Sequence, residues 1–345
     1  MGILDSRSSS DYRAPKRHRG RIMKNSALLR RTVLKVLVSA PVIMTVPVMS
    51  ACTSRASELH LDVASGEEGG MYYEFAQLLS SALVSSSIAE HSEALKTEAS
   101  AQNLELLVAG RAQLALALAD TVAEFRSQTP EQGNIRALGR VYQNYFHCIL
   151  RADSDIRSLS DFPGRSIGTG AAGSGTWVTG QRILRAAGLK DHQQAPQEHI
   201  LGYTAGIKAL RRGEIDALFL FGGMPVRPLT ELAEELDLKL LDISEVLPKL
   251  RETYPNLYDR VVIPNNTYPG VPAIDTIGVS NLLMARADLS NDTAKAVVKL
   301  LETQAQQLIP KSSAGIQHLT PETLISTAGQ PLHPGARAAY LEMHG

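Results

Sequence analysis

The chain has 345 residues, 44% hydrophobic and 20% charged, which is enough to build two globular domains with cores of their own. Its formal net charge of zero hides an uneven distribution: residues 1–51 hold ten Lys/Arg against two Asp/Glu, leaving 25 basic against 33 acidic residues beyond them. An acidic body excludes nucleic acid as a partner, since that ligand demands a basic face.

Residues 36–48 form an uncharged apolar run of secretory-signal length, interrupted by Pro41 and Pro47 and too short to span a bilayer comfortably. Arg30-Arg31, followed by apolar residues and Lys35, resembles a twin-arginine export signal. Met49-Ser50-Ala51-Cys52 reads as a lipoprotein cleavage box with Cys52 as the acylated residue; a plain signal cut near Ala51 is the alternative. Met23 is a second candidate start, because residues 1–22 are polar and Arg-rich. Residues 1–52 are therefore read as an export signal, and the mature chain as periplasmic and lipid-anchored at Cys52. Cys148 is then without a disulfide partner and is read as a buried strand residue.

From residue 58 onward strand and helix patterns alternate, which argues for parallel α/β layers. The expected elements are a strand at 58–65, a helix through Leu83, a short strand at 95–98, a helix at 100–109 and a strand at Leu114–Leu118 that ends at Asp120. The β-rich run 135–150 is long enough to cross between two lobes, and a strand beginning at Asp275 crosses back. Two helices, 291–308 and 334–343, close the chain. The expected organisation is a discontinuous first lobe (58–150 plus 275–345), a second lobe (151–274) and a hinge of two strands suited to closing on a ligand.

One pattern occurs twice. A short strand, a Gly-rich turn and a helix start run from Leu61 through Gly66, Gly69 and Gly70 to Tyr72-Tyr73, and again from Ser166 through Gly170 and Gly173 to Trp177; Gly66 aligns with Gly170 and Gly69 with Gly173, 104 residues apart. A helix and strand follow each copy, ending at Asp120 in the first and at Gly222-Gly223 in the second. Two such lobes imply a cleft where helix N-termini hold a small ligand through backbone amides. Gly173-Ser174-Gly175-Thr176 is the strongest local signal: free N–H groups, two hydroxyls and a helix dipole make an anion pocket. A tight turn with a capping hydroxyl is the structural alternative.

Tyr72 and Tyr73 stand beside the first glycines and can face the cleft or the core. Ser100 suits a helix cap, whereas Asn103, one turn later, is not needed as one. Asp120 falls at the carboxyl edge of a strand, where open α/β sheets bind ligands. Glu67 and Glu68 are adjacent, so one is expected in the cleft and the other in solvent.

No enzyme is expected. The nine histidines are scattered, with no His-x-x-x-His pair and no Cys/His cluster of metal spacing, and neither glycine turn closes on Gly-Lys-Ser/Thr. The Gly-x-Ser-x-Gly elbow of hydrolases is missing, and Gly168-x-Gly170-x-x-Gly173 lacks a well-placed acidic partner. Neither cofactor nor metal is expected.

Several pieces together resemble the TAXI family of periplasmic receptors: Gly69-Gly70-Met71-Tyr72-Tyr73, residues 158–168, Gly173-Ser174-Gly175-Thr176, residues 209–217, and Tyr268-Pro269-Gly270 with Thr276-Ile277-Gly278-Val279. The resemblance covers residues 58–305. It implies an α/β two-lobed periplasmic binding protein-like fold (type II), with two doubly wound lobes joined by a two-strand hinge. It further implies capture of a small carboxylate-bearing solute, glutamate-like or a dicarboxylate, and delivery to a TRAP-type membrane permease. Ligand contacts implied by the matching motifs fall at Gly70, Tyr72, Tyr73, Ser100, Asn103, Asp120, Ser174, Gly175, Thr176 and Gly223. The chain departs from the family at Glu67-Glu68, where a carboxylate would repel an anion or pair with an ammonium group. That departure points to a zwitterion, with its carboxylate on the Ser174 to Thr176 amides and its amine near Glu67, Glu68 or Asp120. An exported sensor lipoprotein signalling to a membrane kinase is an alternative, and an exported two-lobed enzyme is another.

Overall fold

The computed structural model describes residues 59–129, 134–311 and 313–344. The export signal, the candidate starts and Cys52 lie outside these residues.

In the first lobe, β1 (Val63–Ala64), α1 (Met71–Ser85), β2 (Ala94–Leu95), α2 (Ser100–Val108), β3 (Leu114–Leu118) and α3 (Ala119–Gln128) lead into the long strand β4 (Ile135–Arg151). The second lobe contains β5 (Ser166–Gly168), α4 (Gly175–Ala186), β6 (Gln197–His199), α5 (Tyr203–Arg212), β7 (Ala217–Gly222), α6 (Arg227–Glu235), β8 (Leu238–Leu240), α7 (Leu247–Thr253) and β9 (Asp259–Ile263). Then β10 (Ile274–Arg286) returns, followed by α8 (Asn291–Thr303), α9 (Pro321–Leu324) and α10 (Pro334–His344).

The strands form one sheet in the order β2-β1-β3-β10-β4-β7-β5-β6, with β8 added to β4 and β9 to β10. Each lobe is built alike. Three parallel strands (β2, β1, β3 or β6, β5, β7) are followed by one long antiparallel strand, β10 in the first lobe and β4 in the second. β4 and β10 pair with each other over most of their length, so the junction between lobes is continuous sheet. Both read as near-unbroken buried runs, because helices cover both faces.

α1 shows how the pattern becomes packing. Tyr72, Phe75, Ala76, Leu79 and Leu83 recur at helical spacing and are all buried, in the same core as Leu61, Val63 and Leu116. Leu79 is fully buried, so Leu79→Ala would cost about 2–5 kcal/mol. A second core fills the far side of the other lobe. A third spans both lobes on one face, bringing Leu118 and Val122 together with Ile183, Phe219 and Tyr258.

Three details differ from the expected elements. The strand expected at 95–98 ends at Leu95, and the helix expected over 291–308 stops at Thr303. β3 passes directly into α3, so Asp120 sits in a first helical turn rather than on an open strand end. The junction also has a third crossing segment: residues 313–318 run along β4, where Ile316 O accepts from Gln143 N–H (2.9 Å), His318 N–H donates to Val141 O (2.7 Å) and Ala314 N–H donates to Met224 O (2.7 Å).

Candidate functional site

A cavity of about 150 Å³ lies between the lobes. Five helices of the two lobes begin at its wall, with N-caps Gly70, Ala99, Ser174, Gly202 and Val226. Helix N-termini carry unpaired amides and partial positive charge, so their convergence favours an anionic group. Leu118, Leu218, Phe219, Phe221 and Pro225 supply apolar walls. A cavity of this volume takes a molecule no larger than a small aromatic or an amino acid.

The repeated glycines build the two opposing loops. Gly69 and Gly173, aligned in the sequence, both adopt left-handed backbone, at φ of 82° and 73°, a conformation costly for other residues. Beyond Gly173, the Ser174 hydroxyl accepts from Trp177 N–H at 3.2 Å and caps α4. Among the described residues the amides of Gly175 and Thr176 have no main-chain acceptor, and both residues line the cavity. The Thr176 hydroxyl accepts from Phe221 N–H at 3.1 Å, which ties the loop to β7.

Two glycine contacts close the cavity. A Cβ on Gly175 would lie 2.4 Å from Leu118 Cδ1, and one on Gly223 would lie 2.6 Å from Met71 Cγ. In each case backbone of the second lobe rests on a side chain of the first.

The charges are asymmetric. Glu67, Glu74 and Glu98 line the first-lobe side, and Arg227 the second. Burial, aided by the neighbouring Glu98 charge, pushes the Glu67 carboxyl above its ordinary range. Glu68 turns outward and pairs with Lys96 at 2.6 Å, both being exposed. Arg227 pairs with Glu231 at 3.0 Å on the outer rim.

Of the residues singled out in the sequence, Glu67, Gly70, Tyr72, Ser100, Ser174, Gly175, Thr176 and Gly223 line the cavity. Tyr72 Oη and Ser100 Oγ share a hydrogen bond at 3.1 Å, and Ser100 Oγ also accepts from Leu118 N–H. Three others lie elsewhere. Tyr73 sits beneath the Lys96 ammonium, 5.6 Å from its ring centroid. Asn103 is fully buried and donates to Ser65 O (2.6 Å) and Leu116 O (2.7 Å), stapling α2 to β3 and to the residue that follows β1. Asp120 is fully buried between α3 and α4.

Among the cavity residues that the sequence does not single out, Asn144 and Tyr203 carry buried polar atoms without partners. Asn144, 2% exposed, sits in β4 and its Oδ1 has no partner. Tyr203, at the start of α5, has a buried Oη that is likewise unpartnered. A polar Asn in an otherwise buried crossing strand was the visible signal for the first; nothing local marks the second.

The NMT1-like family model matches residues 63–343. The chain belongs to the NMT1-like family. This corrects the expected TAXI membership, and the TRAP-type permease expected as partner goes with it. Among solved structures, this NMT1-like chain is similar to a protein of Bordetella bronchiseptica RB50 at 14% identity, over 83% of this chain and 98% of that one, with a TM-score of 0.50. It is also similar to the periplasmic aliphatic sulphonate binding protein SsuA of Escherichia coli (16%, 83% and 84%, TM-score 0.46). A third is the ligand-binding component of an ABC-type import system from Staphylococcus aureus (14%, 83% and 90%, TM-score 0.46). The fold is a two-lobed α/β fold on one mixed sheet, shared with the Bordetella bronchiseptica protein. Among the described residues no helix is long and apolar enough to cross a membrane.

Proposed function

We propose that this NMT1-like chain is a periplasmic solute receptor that closes its two lobes over a small zwitterion of amino-acid size. The observation that carries this reading is the polarity of the cavity: unpaired amides of Gly175 and Thr176 on one side, and Glu67 and Glu98 on the other. The ligand carboxylate sits on the start of α4 and its ammonium beside Glu67. Asn144 and Tyr203 line the same space, and each carries a buried polar atom without a partner, so these two side chains meet the remaining polar atoms. The apolar walls take the side chain.

The partner that accompanies this function is the membrane component of an ABC-type importer, the setting named for the Staphylococcus aureus protein. Thermal-shift screening of the twenty amino acids against simple dicarboxylates and sulphonates tests the ligand class. Stabilisation by amino acids and not by the dianions is expected. Tight binding of a dicarboxylate, unchanged by Glu67→Gln, would overturn the zwitterion reading.

A further inference from the structure

The outer edge of the first lobe holds a second cluster of ligating side chains, none of which lines the cavity. β1 and β2 run parallel with Val63 opposite Ala94, and the same register continues outward to pair His60 with His91. Side chains alternate along a strand. Leu61 and Val63 are fully buried, so His60 and Asp62 turn to the opposite face, where His91 and Glu93 meet them from the neighbouring strand. Two short segments, His-x-Asp and His-x-Glu, 31 residues apart in sequence, thus share one patch.

The patch is already drawn together. One ligand atom each from Asp62, His91 and Glu93 lies within 4.8 Å of the other two. Asp62 Oδ1 accepts from Glu93 N–H at 3.0 Å, which fixes the carboxylate across the strand gap, and His91 Nε2 is 3.7 Å from the same oxygen. The His60 ring lies 5.2 Å from that of His91, centroid to centroid. Ligands of a tetrahedral zinc ion stand roughly 3.4 Å apart, given metal–ligand bonds near 2.1 Å. The His91 side chain is 52% exposed and has room to make up the difference by rotation.

We propose that His91, Asp62 and Glu93 form a binding site for a divalent transition ion of the zinc type, with His60 as a fourth donor. An imidazole with two carboxylates suits zinc, nickel or copper, whereas calcium and magnesium sites are built from oxygen donors. The ion would clip β2, a two-residue strand at the end of the sheet, to β1. The backbone bonds from Leu61 N–H to His91 O (3.0 Å) and from Val63 N–H to Glu93 O (2.9 Å) already hold the two segments in register, so the ion would add a side-chain link to an existing ladder. Five residues beyond Glu93 the chain reaches Glu98 and the cavity wall.

The test uses the untagged full chain, stripped with a chelator and titrated calorimetrically with zinc chloride, with cobalt as a spectroscopic stand-in. One ion per chain, a raised thermal midpoint and a visible cobalt absorption band are expected. His91→Ala and Asp62→Asn should each weaken zinc binding at least about tenfold, while His192→Ala, an exposed histidine elsewhere, should not. Circular dichroism confirms that His91→Ala remains folded. Failure to bind one ion, or binding that His91→Ala leaves unchanged, overturns the proposal.

Discussion

Thr179 donates its hydroxyl to Asp120 Oδ2 at 2.6 Å, joining α4 of one lobe to the first turn of α3 in the other, with both side chains fully buried. Tyr258 donates to the same oxygen at 3.0 Å, and Arg182 donates to Tyr258 Oη at 3.0 Å and to Glu124 at 2.5 Å. The Arg182 guanidinium also lies over the Tyr254 ring, 4.1 Å from its centroid. Charges this deep survive only when fully paired. Asp120→Ala removes the acceptor of three hydroxyl donors, Thr179, Tyr258 and Thr121, and should cost about 3–5 kcal/mol; Thr179→Val, which removes one donor, should cost about 1–3 kcal/mol. Urea denaturation measures both. Equal stability of wild type and Asp120→Ala would show that the network does not hold the lobes.

The location of Asp120 marks where sequence reading stopped. The alternation of strands and helices, the crossing runs that became β4 and β10, and the aligned Gly69 and Gly173 were legible, because periodicity and glycine chemistry are local. That β3 turns into α3 without a loop is also local, but no residue type announces it, so Asp120 was expected at an open edge. Tyr203 and Arg227 reach the cavity through the register of the second lobe, and residues 313–318 reach β4 from far along the chain. Both depend on tertiary packing that one sequence does not display. The same limit hid the patch of His60, Asp62, His91 and Glu93, which exists only once β1 and β2 pair in parallel.

Closure should be sensitive to one methyl group. Gly175 is at the first position of α4, where alanine is conformationally acceptable, yet its Cβ would meet Leu118 Cδ1 at 2.4 Å. Overpacking of this kind forces backbone shifts. Gly175→Ala should therefore fold but bind at least about tenfold more weakly, a loss of about 1.4 kcal/mol, whichever amino acid stabilises the wild type being used as the probe. Leu118→Ala in the same chain should restore part of that affinity. Unchanged affinity in Gly175→Ala would mean that the contact does not accompany binding.

Glu67 should confer a pH dependence on solute binding. Its carboxyl is held above the ordinary carboxylate range by burial and by Glu98, so it takes up a proton sooner than a surface glutamate as pH falls. An ammonium group needs the ionised form. Affinity should be full at neutral pH and decline as pH falls toward the raised value, and Glu67→Gln should bind weakly with a flatter profile. Calorimetry at pH 7.5, 6.5 and 5.5 reads this out; parallel profiles for wild type and Glu67→Gln would remove Glu67 from the site.

Stability should fall in mild acid because of two buried histidines. His147 donates from Nδ1 to Tyr145 O at 3.0 Å and accepts at Nε2 from Tyr268 Oη at 2.8 Å, while the same Tyr268 oxygen accepts from Val226 N–H at 3.0 Å. Burial pushes the His147 pKa down to about 4, and burial with the nearby Arg140 charge does the same to His318 on the third crossing segment. Each is neutral in the folded state at pH values where an unfolded histidine, with a pKa near 6.5, is already protonated. Between about 6.5 and 4 the unfolded chain binds more protons, so stability is constant above that window and drops as pH falls through it. A shift of this size in fully buried His147 corresponds to a loss on the order of 3 kcal/mol. Urea midpoints at pH 7.5, 6, 5 and 4.5 should decline, and His147→Gln should decline less steeply over the same range. A midpoint that holds level from pH 7.5 to 4.5 would mean that His147 takes up its proton without opening the Tyr268 and Val226 contacts.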